Sequence, residues 1–293
     1  MILRGCTVPK SIPLLSILVV MGLMSWSAPV AGQALIPYTL KLDSEELEQQ
    51  GLTLAQEAIQ LVRFQQYDLA LPKAKLATQL APNTYQTWFI LGTLYVQSQE
   101  LDQGIEALQK SYSLAPDEAG VLFTLGSAYF QKSEYRKAIA QLKAGLKLKP
   151  DVPEALFDLG NSYYMLNQYS EAIDAYNKAV DQDKSFWPAI NNIGLVNYEQ
   201  GDVESAIKQW EAAIGIDKEA AEPQLAIAVA LYAQGDIEKG LLMGEAAIRL
   251  DSRYANLEFL KENLWGKRLL SETKKFLENP RIQATIIQGE GIP

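Results

Sequence analysis

The sequence predicts an all-α fold, a right-handed superhelical solenoid of antiparallel helix pairs with capping helices. Three observations predict it: prolines, small residues and large apolar residues each recur every 34 positions, and all share one register. The columns are Pro82, Pro116 and Pro150; Gly92, Gly126, Gly160 and Gly194; Leu91, Leu125, Leu159 and Ile193; Tyr95, Tyr129 and Tyr163; and Ala70, Gly104, Ala138, Ala172, Ala206 and Gly240. Such a fixed period indicates stacked units that bury a continuous core together.

The period divides the chain into six units, and their small residues predict where the helices cross. The units are 51–84, 85–118, 119–152, 153–186, 187–220 and 221–254. A larger side chain at a close crossing would overpack the contact by ~1–3 kcal/mol. We therefore interpret one set as helix-packing positions: Gly92, Gly126, Gly160, Gly194, Ala138, Ala172 and Ala206. Gly201 and Gly235 fall between paired helices, where glycine can adopt the left-handed cap conformation.

The segments flanking the units predict lead-in and capping elements. Residues 34–50 are interpreted as a lead-in and the start of the first helix, with Asp43 or Ser44 as its N-cap. Residues 255–278 alternate apolar and charged positions as a capping helix should, with a candidate break near Gly266. Residues 279–293 are predicted to form a tail.

Residues 1–33 have the layout of a signal peptide or an N-terminal membrane anchor. Arg4 and Lys10 precede an uncharged apolar run over residues 12–24, and small residues follow over 25–34. A helix over residues 12–28 would reach the short end of the roughly 17–25 residues that span a bilayer, so both interpretations stay open. The basic residues before the run predict that the short N-terminus stays in the cytoplasm and that the repeats are translocated.

Composition excludes several functions. The 293 residues are 48% hydrophobic, so the chain can bury a core, and their net charge of −9 argues against a nucleic-acid partner. The chain has no histidine and one cysteine, Cys6, which excludes Ser–His–Asp and Cys–His catalytic sites. No phosphate-binding glycine loop, metal-ligand spacing or nucleophile motif is present. We therefore expect a non-enzymatic protein with no cofactor and no metal.

The columns over residues 51–254 resemble those of the tetratricopeptide repeat family. The second unit matches best, through Trp88, Leu91, Gly92, Tyr95, Gly104, Leu108 and Pro116. Lys184, Lys218 and Ser252 depart from the late proline of the pattern, and the sixth unit departs most. The resemblance implies a protein-interaction scaffold in which the first helices of successive units line a concave groove for a protein partner.

The family's groove lies at the second, fifth, ninth, twelfth and thirteenth places of each unit. Carried over by position, the candidate peptide-groove residues are Phe89, Thr93, Phe123, Ser127, Phe130, Phe157, Asn161, Tyr164, Asn191 and Tyr198. The alternative is that several of these aromatic residues pack on the next unit. Relatives that bind chaperones grip a terminal carboxylate with Lys, Asn and Arg, whereas the fifth and ninth places here contain no Lys or Arg. The resemblance therefore predicts no carboxylate clamp.

The overall layout is also similar to that of membrane-bound tetratricopeptide proteins of cyanobacteria and plastids. The shared features are the short apolar N-terminus, five to six units and the ending over residues 270–281. This resemblance implies an adaptor at thylakoids that assists photosystem assembly or chlorophyll synthesis. The alternatives are a periplasmic adaptor of pilus or outer-membrane biogenesis, and a protein that assembles with itself through its end units.

Overall fold

A computed structural model describes residues 43–290 of the chain. Those residues form helices and turns without a strand, which confirms the all-α fold class. Twelve helices make up the repeats: α1 Ser44–Arg63, α2 Tyr67–Leu80, α3 Tyr85–Gln97, α4 Leu101–Leu114, α5 Ala119–Gln131, α6 Tyr135–Leu148, α7 Pro153–Met165, α8 Tyr169–Gln182, α9 Trp187–Gln200, α10 Val203–Ile216, α11 Ala221–Ala233 and α12 Ile237–Leu250. The predicted signal or anchor over residues 1–33 lies outside the described residues.

Consecutive helices pack as pairs, and each pair packs on the next. The second helices of the pairs begin at the period of the sequence columns, at Tyr67, Leu101, Tyr135, Tyr169, Val203 and Ile237. The first helix begins where the Asp43 side chain accepts hydrogen bonds from the backbone N–H groups of Glu45 and Glu46. Asp43 is thus an N-cap that satisfies donors which the helix cannot pair internally.

The small-residue columns lie at the crossings within pairs. A Cβ added at Gly92 or Gly126 would lie 2.6 Å from Cγ of Leu108 or Leu142, respectively, on the paired helix. In the fifth pair, a Cβ at Gly194 would lie 2.7 Å from Cδ1 of Trp210. Ala138, Ala172 and Ala206 are fully buried. The glycine column is therefore small because a large side chain of the facing helix fills the space above it.

We expect Gly194→Ala to lower the free energy of unfolding by ~1–3 kcal/mol through overpacking. Trp210 has no room to retreat, because it is fully buried and its indole Nε1 donates to the carbonyl of Asn191 at 3.1 Å. Gly215→Ala, on α10, is the matched control, since its Cβ would meet nothing within 4 Å. Urea unfolding monitored by circular dichroism measures both; equal effects of the two variants would contradict the packing role.

A second column appears in the turns between paired helices. One residue in each turn has a positive φ: Gln65 57°, Gln99 62°, Ser133 60°, Asn167 58°, Gly201 91° and Gly235 94°. The two glycines are those that the sequence predicted as left-handed caps. The other four positions carry side chains in this conformation, at a cost of roughly 1–2 kcal/mol each, with Asn167 the least strained because asparagine adopts it most readily.

Gln65→Gly should therefore raise the free energy of unfolding by about 0.5–1 kcal/mol, because relief of the left-handed strain exceeds the added entropy of the unfolded chain. Gln65 is exposed, so little packing is lost. Gln60→Gly, at an exposed position inside α1, should instead destabilise by about 0.5–1 kcal/mol. Thermal unfolding compares the two variants. Destabilisation by Gln65→Gly would show that the left-handed conformation of Gln65 is not strained.

The capping region breaks at Gly266, where the sequence offered a candidate break, and it is also interrupted before Leu257. The capping helix predicted over 255–278 is interrupted: a 3-10 turn over Ser252–Ala255 precedes α13 Leu257–Glu262, and α14 is Lys267–Leu277. The chain bends between them at Leu264, which has a φ of 65°, and Gly266 is the N-cap of α14.

The predicted tail over 279–293 was wrong for Pro280–Glu290, which form a helix, α15. The Asn279 side chain accepts from the N–H of Arg281 at 3.0 Å, and Pro280 occupies the first turn, where a missing N–H costs nothing. Ile282 is fully buried, and Arg281 bonds to Glu238 and Glu245 of α12. The apolar and charged contacts with α12 thus hold a segment whose composition alone looked unstructured.

Candidate partner-binding groove

We call the surface formed by the first helices of the pairs, α1, α3, α5, α7, α9 and α11, the first-helix face. Two cavities on this face are lined by residues from successive first helices. They contain six of the ten predicted groove residues.

The first of these, the apolar cavity, lies between α1 and α3 and has a volume of about 160 Å³. Its lining residues are Ile59, Val62, Phe89, Ile90, Thr93, Leu94 and Gln97. The Thr93 hydroxyl donates to the carbonyl of Phe89 at 2.8 Å, so its proton is already used. Ile59 and Phe89 are incompletely buried. An apolar side chain of a partner can therefore bind in this cavity, because binding buries apolar surface that is otherwise exposed to water.

The second, the polar cavity, has a volume of about 310 Å³ and is built by α5, α7, α9 and α11 together with the C-terminal region. Its lining residues are Phe130, Phe157, Asn161, Trp187, Pro188, Asn191, Asn192, Glu222, Tyr254, Glu262, Asn263 and Leu264. Four of these, Phe130, Phe157, Asn161 and Asn191, belong to the predicted groove set.

A chain of amide hydrogen bonds lies beneath the polar cavity. The Tyr176 hydroxyl and Asn192 Nδ2 both donate to Oδ1 of Asn161, at 2.8 and 2.9 Å. Asn191 Nδ2 donates to Oδ1 of Asn192 at 3.1 Å. Oδ1 of Asn191 is buried and has no hydrogen-bond partner within the described part of the chain. The network fixes the amides in place, yet leaves one acceptor open beside the cavity.

Glu222 supplies a buried carboxylate to the same cavity. Its side chain is 7% exposed and accepts a hydrogen bond from the indole Nε1 of Trp265 at 2.9 Å. Burial raises the pKa of Glu222 to about 7, although hydrogen bonds with Trp265, Asn191 and Tyr254 oppose the shift. The carboxylate is therefore half ionised near neutral pH.

The C-terminal helices cover the first-helix face at α9 and α11. The carboxylate of Glu199 on α9 accepts from the N–H groups of Arg268 and Leu269 at 3.1 and 3.0 Å, which places a negative charge at the start of α14. The Arg268 guanidinium lies 4.9 Å from the ring centre of Tyr198, whose hydroxyl bonds to Glu272. The open part of the face is thus the part formed by α1 to α7 and the edge of α9.

The remaining predicted groove residues have different surroundings. Tyr198 is buried under α14, and Tyr164 is buried beside Tyr169. Phe123 is half-buried, with its ring against the Gly145 backbone of the paired helix, and Ser127 is half-buried. For Phe123, Tyr164 and Tyr198 the alternative interpretation, packing within the protein, agrees with these contacts.

Sequence reasoning missed the other eight lining residues of the polar cavity, Trp187, Glu222 and Tyr254 among them, and also Trp265, which bonds to Glu222. Glu222 occupies the second place of the sixth unit, a groove-facing place by the resemblance, so its position contained a usable signal. Trp265 carried none, because the capping region over 255–278 has no repeat register from which to place it.

Within 43–290, no group of three or more His, Cys, Asp or Glu side chains is arranged to hold a metal ion. Over the same range, no helix combines the length and the apolar character needed to cross a membrane.

Comparison with family models gives three matches. A tetratricopeptide repeat model matches residues 123–185, and a second repeat model of this type matches 194–235. A model described as Chs5p-Arf1p-binding proteins matches residues 8–115. No curated protein matches the sequence significantly.

Solved structures give many matches. The crystal structure of MamA is 27% identical, with a TM-score of 0.52 over 56% of this chain and 96% of MamA. YrrB, described as a tetratricopeptide protein with an unusual peptide-binding site, is 19% identical, with a TM-score of 0.52 over 65% of this chain and 95% of its own. PilF of Pseudomonas aeruginosa is 14% identical, with a TM-score of 0.61 over 75% of this chain and 98% of its own. At these identities, YrrB and PilF show a common fold only.

Three observations indicate repeats of the tetratricopeptide type. Helix pairs recur at the period of the sequence columns, two repeat models match parts of that region, and the solved neighbours have the same solenoid architecture. Together these observations identify repeats of the tetratricopeptide type over residues 123–185 and 194–235, in a fold shared with the solved neighbours.

Proposed function

We propose that this protein is a scaffold that binds an extended segment of a partner along the open part of the first-helix face. The observation that carries the proposal is the succession of the apolar and polar cavities on that face, both lined by groove places of the repeat. The apolar cavity would anchor one side chain, and the amides of the polar cavity would bond to the segment farther along.

Photo-crosslinking tests the proposal. A benzoylphenylalanine at position 89 lies in the apolar cavity; the control is the same group at Tyr112, an exposed aromatic residue on α4. Proteins captured in cells at position 89 and absent at position 112 would be partners of the face. Equal capture at both positions would refute the groove.

Phe89→Ala should then weaken binding of a partner captured in this way by at least ten-fold, because a half-buried aromatic anchor typically contributes ~2 kcal/mol or more. Isothermal titration of the purified partner measures the loss. Tyr112→Ala is the control and should leave the affinity unchanged. A Phe89→Ala variant with normal affinity would show that the partner contacts another surface.

We propose further that residues 1–33 export the scaffold or anchor it to a membrane, with the repeats on the far side. The basic residues before an uncharged apolar run support this proposal. Deletion of residues 1–33 followed by cell fractionation tests it. The full-length chain should fractionate with membranes or in the exported compartment and the truncated chain in the cytoplasm; identical fractionation would refute the proposal.

The more specific role is an adaptor at thylakoids that assists photosystem assembly or chlorophyll synthesis. Its support is the layout shared with the cyanobacterial and plastid proteins. The second candidate is a periplasmic adaptor of pilus or outer-membrane assembly, which the same exported layout favours. Identification of the crosslinked partners by mass spectrometry separates the two.

A further inference from the structure

The charged side chains that line the polar cavity are all acidic. Glu222 and Glu262 contribute carboxylates to its lining, and none of the twelve lining residues is a Lys or an Arg. Two basic residues of the C-terminal region interact with groups outside the cavity lining: Arg253 is paired with Asp251, and Arg268 lies over Tyr198. Both carboxylates would therefore attract a cation in the cavity, and no lining side chain would repel it.

Aromatic side chains also favour the binding of a cation. Phe130, Phe157, Trp187 and Tyr254 line the cavity, and the faces of aromatic rings attract cations. A cavity that combines carboxylates with four aromatic residues differs from a simple acidic patch, because it also offers flat apolar surface to a planar group.

A buried acceptor provides the third observation. Asn191 is 1% exposed and lines the cavity, yet its Oδ1 has no donor among the described residues. A buried acceptor left unpaired costs ~1–3 kcal/mol, so the protein alone does not complete this site. A ligand that brings several N–H donors would satisfy Asn191 and a carboxylate at once.

We propose that the polar cavity binds the side chain of an arginine in the partner segment, a specificity that rests on the proposed scaffold function. The guanidinium is planar, always charged and weakly hydrated, and it carries five donors in a fixed arrangement that suits carboxylate and amide oxygens. It also stacks on aromatic faces, whereas a lysine ammonium is a strongly hydrated point charge.

Matched pentapeptides test the proposal directly. The probes are acetyl-Gly-Gly-Arg-Gly-Gly-amide, the same peptide with lysine in place of arginine, and its citrulline twin. Citrulline keeps the shape of the arginine side chain but removes the charge. The full-length chain, in a non-ionic detergent and labelled with 5-fluorotryptophan, is titrated at pH 8, and the ¹⁹F resonance of Trp187 is followed. The assignment of that resonance comes from Trp187→Phe. We expect the arginine peptide to bind at least ten-fold more tightly than the citrulline peptide.

Glu222→Gln isolates the role of the carboxylate. Glutamine retains an acceptor for the Trp265 indole, so the variant should stay folded while its preference for arginine over citrulline falls to less than three-fold. Glu211→Gln, at an exposed position on α10, is the charge-matched control and should keep the full preference. The comparison of the two peptides on the unaltered protein needs no variant to fold.

Three outcomes would overturn the proposal: equal affinity for arginine and citrulline peptides, equal affinity for arginine and lysine peptides, or no shift of the Trp187 resonance. Retention of the full preference for arginine over citrulline in the Glu222→Gln variant would also overturn the proposal. The scaffold function is judged separately by crosslinking at position 89, so it can stand while the arginine site fails.

Discussion

Trp265→Ala is expected to lower the free energy of unfolding by about 3–5 kcal/mol, the range for truncation of a buried aromatic residue. Trp265 is 3% exposed and belongs to the core that joins α9 and α11 to the C-terminal helices, with Leu260, Leu269 and Phe276. Its loss would also remove the donor to Glu222 and leave a buried carboxylate less well satisfied. Chemical unfolding monitored by circular dichroism measures the change.

Trp265→Phe separates packing from hydrogen bonding. It keeps most of the apolar surface and removes the Nε1 donor with a small part of the ring, so the loss should be ~1–3 kcal/mol. A Trp265→Ala loss below about 1 kcal/mol would mean that α13 and α14 do not contribute to the core of the C-terminal units.

The stability of the protein should decrease as the pH rises from about 4.5 to 7, through the titration of Glu222. The folded state holds this proton more tightly, with a pKa of about 7 against 4.5 in the unfolded chain. The contribution of the group is therefore fully present below pH 4.5 and lost once the pH exceeds 7, a change on the order of 3 kcal/mol.

Glu222→Gln should remove this pH dependence and stabilise the protein above pH 7 by a similar amount. Thermal unfolding of both proteins between pH 4 and 8 gives the comparison. Asp158, whose pKa burial raises to about 6, titrates in an overlapping range in both proteins and cancels in their difference. Parallel curves for the variant and the unaltered protein would show that Glu222 is not buried as described.

The repeat architecture was predictable because its causes repeat. Each small residue faces one large side chain on the paired helix, so Gly92, Gly126 and Gly194 recur at the period of the helices themselves. The turn conformation recurs at that period too, but Gln65 or Ser133 can adopt it at modest cost. A property of the backbone that several residue types tolerate leaves no clear trace in the sequence.

The candidate site was predictable only in part, for a related reason. Phe157 and Asn161 occupy repeat places, so their contribution to the face followed from the register. Glu262 and Trp265 reach the same cavity from a region without a register, and their placement depends on how α13 and α14 fold back onto α9 and α11. This packing depends on contacts between distant residues, such as the Glu199 carboxylate at the start of α14. No local sequence pattern predicts such contacts.

The covering of α9 by α14 has a consequence for synthesis of the chain. Glu199 and Leu269 are 70 residues apart, and at ~5–20 residues per second the ribosome adds that length in roughly 4–14 s. The helix pairs need only neighbours already made, whereas α14 can dock only at the end. A growing chain therefore presents a longer binding face than the finished protein, and a partner that meets it during translation encounters Tyr198 and its surroundings uncovered.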